Sequence, residues 1–304
     1  MELDLTECLN PQMLTRLIIL YYLLICINGN AQLPVTNIYQ FSMVKTGDKM
    51  SISKPQMLTE FNSTGYNNQP CFFKDDVVYF TTNYYDKGQT EIAKFDLFDK
   101  ILTRITYTPE SEYSPTAVPE KESFSCVRVE ADGTTQSLSV YPLDGIGYPK
   151  RYMNNTRNIG YHAWIDAKTL GLFLVKEPSQ QLAIADAISE RRKIILDRIG
   201  RTLKVSNDNQ LYFIHKISDL EWVIKTYDKE TSQSKSIVNS IPGVEDFELL
   251  ADGIILAGSG SKLYKFDPKK DKAWQPIIDM EPYGINNIKR LTARKGRLII
   301  VSEE

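Results

Sequence analysis

Short apolar segments separated by polar turns recur along most of the chain. A unit of one apolar segment, a polar turn and a second apolar segment occurs six times, at residues 70–80, 115–127, 163–173, 203–213, 247–256 and 288–300. Each apolar segment is too short for a typical helix and is bounded by turn-forming residues, which is the pattern of β-hairpins. The sequence therefore predicts an all-β protein.

The spacing of these hairpins predicts how they are arranged. The central residues of the six turns are separated by 46, 46, 41, 43 and 43 positions. These residues are Asp76, Glu122, Lys168, Asn209, Asp252 and Lys295. A repeat of this length built only of strands is typical of the four-stranded blades of a β-propeller. We therefore predict a six-bladed β-propeller of four-stranded antiparallel blades.

A third predicted strand follows each of the first five hairpins and ends in an aspartate. The aspartates lie 48, 42, 42 and 39 residues apart and are Asp96, Asp144, Asp186, Asp228 and Asp267. The carboxylate of an aspartate in this place can accept hydrogen bonds from the following backbone N–H groups and start a turn. We prefer this role to a ring of carboxylates for metal binding or acid–base chemistry, because such turns lie on the outer part of a blade.

The two ends of the chain predict how the ring closes. The last hairpin supplies only two strands, at residues 288–291 and 297–301, while residues 38–44 and about 50–58 form two strands without a partner. Together they make one composite blade. Closure by strands from both termini leaves no open sheet edge between the first and last blades.

The N-terminal segment predicts export. An uninterrupted apolar run of 11 residues at 17–27 follows Arg16, and Gly29 and Ala31 supply the small residues of a cleavage site. We predict a signal peptide at residues 1–31. The run is too short to span a bilayer as a retained helix, so we expect no membrane span after cleavage. The predicted localisation is periplasmic or secreted.

Two details of this segment remain open. Residues 1–12 carry three acidic residues and no basic one, so we expect translation to start at Met13. The mature chain at 32–304 is then a single propeller. A buried hydrophobic helix is the alternative for the apolar run, and lipid attachment at Cys26 is a further alternative that the bulky Ile25 disfavours.

Charge and composition narrow the function classes. The chain has 36 Lys and Arg against 38 Asp and Glu, a formal net charge of −2, so we expect no nucleic-acid surface. Two histidines and four cysteines provide few ligands for a His/Cys metal site, and we predict no metal and no cofactor. Cys71 and Cys126 lie on adjacent predicted blades; buried free thiols are the preferred interpretation, with a disulfide as the alternative.

Several short motifs resemble a known family. Gln69-Pro70 and Ser114-Pro115 enter predicted inner strands, Asp252-Gly253 occupies a strand turn, and residues 160–164 read Gly-Tyr-His-Ala-Trp. These repeats are similar to the WD40-like, or PD40, repeats of TolB-like six-bladed β-propellers, in particular to an exported subgroup. The resemblance implies the fold and says little about function. We expect no counterpart of the N-terminal α/β domain of TolB, so a role in the Tol system is not implied.

Catalytic motifs are not recognisable in the sequence. Residues 258–262, Gly-Ser-Gly-Ser-Lys, share part of a phosphate-binding loop, but the full spacing is missing and a hairpin turn is the better interpretation. Gly-x-Ser-x-Gly, His-Glu-x-x-His, Cys-x-x-Cys and Asp-x-Asp-x-Asp-Gly motifs do not occur. We therefore assign no catalytic residue and favour a non-enzymatic role.

The expected binding site is the mouth of the axial channel, where the segments entering the inner strands converge. One residue from each predicted blade forms what we call the mouth ring: Gln69, Tyr113, His162, Arg201, Asp246 and Asn287. Hydrogen-bonding groups in a concave site can orient a polar ligand. A water-filled funnel without a specific ligand is the alternative, because such openings come with the fold.

These observations favour a monomeric binding or scaffold propeller of the bacterial cell envelope. Its ligand would be a protein, a peptide or a small polar molecule at the channel mouth. Two alternatives remain: a hydrolase or lyase with its site in the axial channel, and a separate relative of the gating propeller of a peptidase.

Overall fold

The hairpins of the sequence fold into six antiparallel sheets arranged as the blades of a propeller. The computed structural model describes residues 33–304, of which Val35–Glu304 form one compact unit. The predictions of a signal peptide, a start at Met13 and a mature terminus at Gln32 concern residues outside the described part and stay predictions. No helix in residues 33–304 is long and apolar enough to cross a membrane.

The first three blades each contain four strands in sequence order. Blade 1 consists of β4 (Asn67–Lys74), β5 (Val77–Thr82), β6 (Glu91–Asp96) and β7 (Ile101–Arg104). Blade 2 consists of β8 (Ser111–Ala117), β9 (Ser123–Val129), β10 (Gln136–Pro142) and β11 (Lys150–Tyr152). Blade 3 consists of β12 (Ile159–Trp164), β13 (Thr169–Leu174), β14 (Gln181–Asp186) and β15 (Arg192–Asp197).

The other blades complete the ring. Blade 4 consists of β16 (Ile199–Val205), β17 (Leu211–Lys216), β18 (Trp222–Asp228) and β19 (Gln233–Asn239). Blade 5 consists of β20 (Phe247–Leu249), β21 (Ile255–Ser259), β22 (Lys262–Phe266) and β23 (Gln275–Asp279). Blade 6 consists of β24 (Ile288–Arg294), β25 (Arg297–Glu303), β1 (Thr36–Thr46), β2 (Lys49–Ile52) and β3 (Gln56–Met57). Short 3-10 turns occupy Glu60–Asn62 and Glu281–Tyr283.

Blade 6 confirms the predicted closure by both termini. Strand β1 pairs antiparallel with β25 over seven residue pairs, from Thr36 opposite Glu303 to Ser42 opposite Arg297. One detail of the prediction was wrong: residues 50–58 do not form one strand. They are divided into β2 and β3, which both pair with β1. Pro55 lies in the gap, and a proline has no N–H group to continue a ladder.

The hydrophobic core lies between the blades. Each of six buried clusters joins one pair of neighbouring blades. Strand β25 shows the principle: Leu298 and Ile300 face blade 5, whereas Ile299 and Val301 face blade 1. Both faces of the strand are buried, so its sequence is a continuous apolar run rather than an alternation.

The aspartates at the ends of the third strands have the predicted role. Asp186 Oδ1 accepts hydrogen bonds from the backbone N–H groups of Ile188 and Ser189, at 3.0 and 2.6 Å. The carboxylates of the other four aspartates, Asp96, Asp144, Asp228 and Asp267, accept the N–H of the residue two positions later. These turns are confirmed, as is the hairpin turn at residues 258–262 between β21 and β22.

Irregular positions interrupt most of the inner strands. The pairing of the inner strand with its neighbour shifts in blades 1, 2, 3, 4 and 6. In blades 1 and 2 the shifted residues are Gln69 and Ser114, with φ of +55° and +56°, and each precedes a proline. A bulge changes which side chains face the axis. It therefore decides which residues line the channel.

Candidate functional site

The axial channel contains a cavity of about 270 Å³. All six blades contribute to its wall. The contributing residues include Gln69, Ser114, His162, Arg201, Asp246 and Arg290. A second cavity of about 260 Å³ lies beside it and shares Arg201, Asp246 and Arg290 with the first. The two arginines therefore stand where both spaces meet.

The structure brings four members of the predicted mouth ring to the axial cavity and places two elsewhere. Gln69, His162, Arg201 and Asp246 line the cavity. Tyr113 instead packs against the core between blades 2 and 3, and its ring lies 6.4 Å from that of Tyr66 in an edge-to-face arrangement. Asn287 lines the second cavity. Whether any of the six binds a ligand remains a prediction.

Sequence reasoning missed a contact that crosses the axis. Arg290 Nη2, from β24 in blade 6, donates a hydrogen bond to the Tyr161 hydroxyl, from β12 in blade 3, at 2.8 Å. The guanidinium carbon also lies 5.1 Å from the centre of the Tyr161 ring, within the range of a cation–π interaction. Blades 3 and 6 are opposite each other in a six-membered ring. This contact, which we call the cross-axis bridge, therefore spans the channel.

Asp246 ties three blades together. Its Oδ2 accepts a hydrogen bond from Thr202 of blade 4 at 2.9 Å, and its Oδ1 accepts the backbone N–H of Leu291 in blade 6 at 2.9 Å. Arg290 Nη1 lies 3.6 Å from Oδ2, beyond hydrogen-bond distance. Asp246 itself precedes β20 of blade 5 and is 8% exposed. Its hydrogen bonds within the protein give it a structural role.

Arg201 has weaker contacts. Its Nε lies 3.7 Å from Glu245 Oε2, and its Nη2 donates a long hydrogen bond of 3.4 Å to the carbonyl of Lys289. Nε is buried and has no hydrogen-bond partner among residues 33–304. The other carboxylate oxygen of Glu245 binds the ammonium group of Lys216. Arg201 therefore keeps donor capacity that the described residues do not use.

Known structures support the fold, while the sequence matches no family model and no curated protein. A TolB-like protein from Agrobacterium tumefaciens aligns with a TM-score of 0.66 at 11% identity, over 89% of this chain and 99% of that one. TolB from Acinetobacter baumannii aligns with a TM-score of 0.59 at 13% identity, over 100% of this chain and 72% of that one. The fold is that of the TolB-like six-bladed β-propellers.

A third neighbour is an enzyme. A puromycin-hydrolyzing peptidase from Mycobacterium tuberculosis aligns with a TM-score of 0.54 at 13% identity, over 79% of this chain and 44% of that one. A structural likeness at so low an identity shows a shared fold and says nothing about function.

His162 is a buried, uncharged member of the channel wall of this TolB-like propeller. Its Nε2 lies 2.6 Å from Ser125 Oγ, which also accepts the indole N–H of Trp164 at 2.9 Å. If Nε2 carries the proton, Ser125 accepts both bonds and donates its own hydroxyl proton to the carbonyl of Thr116, at 3.3 Å. Nδ1 is then an acceptor, and no described residue bonds to it. Burial lowers the pKa of His162 to about 3.

The pair of Ser125 and His162 is not arranged for nucleophilic catalysis. The Ser125 side chain is fully buried and does not line the axial cavity. Its oxygen is occupied by hydrogen bonds to His162 and Trp164. A serine nucleophile has to reach its substrate, so these contacts indicate that the group stabilises the interface between blades 2 and 3.

The two cysteines of the described residues lie in the channel wall and in the core. Cys71 and Cys126 are free thiols, as preferred from the sequence, and burial raises the pKa of both. Cys71 lines the axial cavity and Cys126 lies in the core between blades 1 and 2. Residues 33–304 contain no group of three or more His, Cys, Asp or Glu arranged to hold a metal ion.

At the opposite end of the TolB-like propeller, the cationic side chains differ from those at the mouth in how closely they pair with carboxylates. A larger opening of about 1050 Å³ lies there, lined by strand and turn residues of blades 4, 5 and 6. Its Lys45 pairs with Asp252, and its Arg294 and Lys295 bind the two oxygens of Asp75 at 2.8 and 2.6 Å. These cations have close anionic partners. The carboxylates nearest to Arg290 and Arg201 at the mouth lie 3.6 and 3.7 Å away, beyond hydrogen-bond distance, which distinguishes these arginines from the cations at the opposite end.

Proposed function

We propose that this protein is an exported, non-enzymatic binding propeller of the bacterial envelope that captures a protein, peptide or small polar ligand at its channel mouth. The observation that carries the proposal is the state of Arg201 and Arg290. Both line two adjoining cavities, and neither guanidinium makes a hydrogen-bonded ion pair with a carboxylate. Partly buried cationic donors with spare capacity are suited to a polar ligand.

The TolB-like fold supports this proposal because it provides a concave axial site. The chemistry of such a site depends on the residues that line it. A second candidate is a separate relative of a peptidase gating propeller, which the likeness to the Mycobacterium tuberculosis peptidase favours. The contacts of Arg201 and Arg290 at the channel mouth make the binding propeller the first choice.

The proposal can be tested without knowing the natural partner. A random peptide library displayed on phage would be selected on the full folded protein, and the enriched peptides would be measured against Arg201→Glu. The matched control is Arg191→Glu, which makes the same charge change at an exposed position between β14 and β15 of blade 3. Arg201→Glu should weaken binding by about tenfold or more, or about 1.4 kcal/mol, whereas Arg191→Glu should leave it unchanged.

Thermal melting of both variants serves as the folding control. Peptides that bind Arg201→Glu as tightly as the wild type, or that lose affinity only for Arg191→Glu, would place recognition on the outer surface and refute a site at the mouth. Failure to enrich any peptide would argue against capture of peptides.

A further inference from the structure

The two mouth arginines have a large surplus of hydrogen-bond donors. A guanidinium group carries five N–H donors in a planar fork. Within residues 33–304, Arg290 uses one of them for Tyr161 and Arg201 uses one for the carbonyl of Lys289. The bond of Arg201 is long, and its Nε is buried without an acceptor. Buried donors are usually satisfied, so the unpaired Nε of Arg201 suggests an acceptor that comes from outside the chain.

The charges at the same place do not balance. Arg201, Arg290 and Lys216 face the carboxylates of Asp246 and Glu245. Three cations against two anions leave one positive charge uncompensated in a partly buried site. Two further pairs close by, Lys204 with Glu248 and Lys289 with Glu303, are neutral overall. The missing partner is therefore expected to carry a single negative charge.

The resident carboxylates are not free to supply it. Both oxygens of Asp246 accept hydrogen bonds from Thr202 and the backbone of Leu291, and one oxygen of Glu245 binds Lys216. These contacts hold the two carboxylates 3.6 and 3.7 Å from the nearest arginine nitrogens. The fork of neither arginine is filled in the bidentate geometry that guanidinium and carboxylate prefer.

Tyr161 occupies the place where a ligand would meet Arg290. Its hydroxyl is a neutral acceptor at 2.8 Å, and it comes from the opposite side of the ring. A carboxylate accepts a stronger, charge-assisted hydrogen bond from the same donor. The cross-axis bridge is therefore a contact that an incoming carboxylate can replace.

We propose that the channel mouth binds a single carboxylate group between Arg290 and Arg201, and that Tyr161 holds the Arg290 donor until the carboxylate displaces it. The inference rests on the proposed binding function and names its ligand class. The two adjoining cavities, of about 270 and 260 Å³, accommodate a peptide C-terminus, an acidic side chain or a small organic acid. One surplus charge fits a carboxylate monoanion better than a phosphate dianion.

A matched pair of small probes tests the ligand class directly. N-acetylglycine and N-acetylglycinamide have nearly the same shape, but the first carries a carboxylate where the second carries a neutral carboxamide. Each would be titrated at constant ionic strength into the full protein labelled with ¹⁵N, and the arginine Nε–H resonances would be followed by NMR. Arg201→Lys and Arg290→Lys assign the two signals. We expect a saturable shift of both with the acid only, while the exposed Arg191 signal stays in place.

Two variants test the roles of the residues. Tyr161→Phe removes the hydroxyl and keeps the ring. Because the hydrogen bond from Arg290 to Tyr161 then no longer competes with the ligand, N-acetylglycine should bind to this variant about fivefold more tightly than to the wild type. Arg201→Gln should weaken binding by about tenfold or more, because it removes a charge-assisted bond. Since Arg201 is half-buried and has only weak contacts, this variant should melt close to the wild type.

Several outcomes overturn the proposal. The arginine signals could shift equally with the acid and the amide, or show no saturable shift with either. The Tyr161→Phe variant could bind N-acetylglycine more weakly than the wild type, or the wild type could bind inorganic phosphate more tightly than N-acetylglycine. If phage-selected peptides depend on Arg201 while the acid gives no shift, the carboxylate is refuted and the binding function stands. If the acid binds but no peptide is enriched, the ligand class stands and peptide capture fails.

Discussion

Glu112 offers a sharp test of how blades 1 and 2 are joined. It lies in β8 and is fully buried; its Oε1 accepts the Tyr141 hydroxyl at 2.9 Å and the Thr108 hydroxyl. No hydrogen-bond donor among residues 33–304 reaches its Oε2. The carboxyl group of Glu91 in β6 is close enough to act on it electrostatically. Arg104 binds Glu91 at 2.6 Å. Arg128 and the Cys126 thiol are the other charged or titratable groups near Glu91 and Glu112.

Burial raises the pKa of Glu112 to about 8, and the negative charge of Glu91 acts in the same direction. In the unfolded chain the pKa of a glutamate is close to 4.5. The folded protein therefore holds more protons than the unfolded chain between these values, and its stability falls as pH rises through that window. Each pKa unit corresponds to about 1.4 kcal/mol, so the upper limit of the loss is about 5 kcal/mol.

Glu112→Gln removes the titration and keeps the shape of the side chain. The free energy of unfolding would be measured by urea denaturation at about pH 5 and about pH 9. The wild type should lose a few kcal/mol over this range relative to the variant. Glu122→Gln, an exposed residue of blade 2, is the control and should follow the wild type. Parallel pH profiles of wild type and Glu112→Gln would refute the reasoning.

Three further predictions follow from the fold and the termini. Phe41→Ala should cost about 3 to 5 kcal/mol of unfolding free energy and lower the single melting transition, because Phe41 fills the core of the closing blade, whereas the exposed Val44→Ala should cost little. In the wild type, acidification from about pH 6.5 towards 3 should lower stability, because His162 gains a proton in the unfolded chain but not in the folded protein. His162→Gln should reduce this loss, as measured by denaturation at several pH values. Mass spectrometry of exported protein should give Gln32 as first residue; retention of Met13 would contradict cleavage.

Much of the fold was accessible from the sequence because its determinants are local or periodic. Apolar runs such as 298–301 mark strands buried on both faces, and turn aspartates such as Asp186 mark the step to the outermost strand. The composite blade followed from counting strands without partners at the two ends. The break at Pro55 escaped because the apolar residues on both sides of it suggested one continuous strand.

The candidate site was only partly accessible, and the inner-strand bulges explain why. The mouth ring took one residue at the entrance of each inner strand, as if all blades had the same register. The irregularity between Ile288 and Arg290 brings Arg290 to the cavity, while Asn287 lines the neighbouring space. Arg290 meets Tyr161 across the axis, 129 positions away, and no local pattern signals such a pair.

Different residues of the channel wall stabilise the ring and serve the proposed binding, so the mouth can keep an arginine, Arg201, whose buried Nε has no partner among the described residues. Stability resides in the cores between blades, and Asp246 uses its oxygens to join blades 4 and 6. Arg201 contributes little to the cores or to the joining of the blades, since its nearest carboxylate is 3.7 Å away. Loss of Asp246 should therefore act through folding, whereas loss of Arg201 should act through binding. If the proposed function holds, a ligand can bind to Arg201 and leave again without disturbing the contacts of Asp246 that hold the channel in shape.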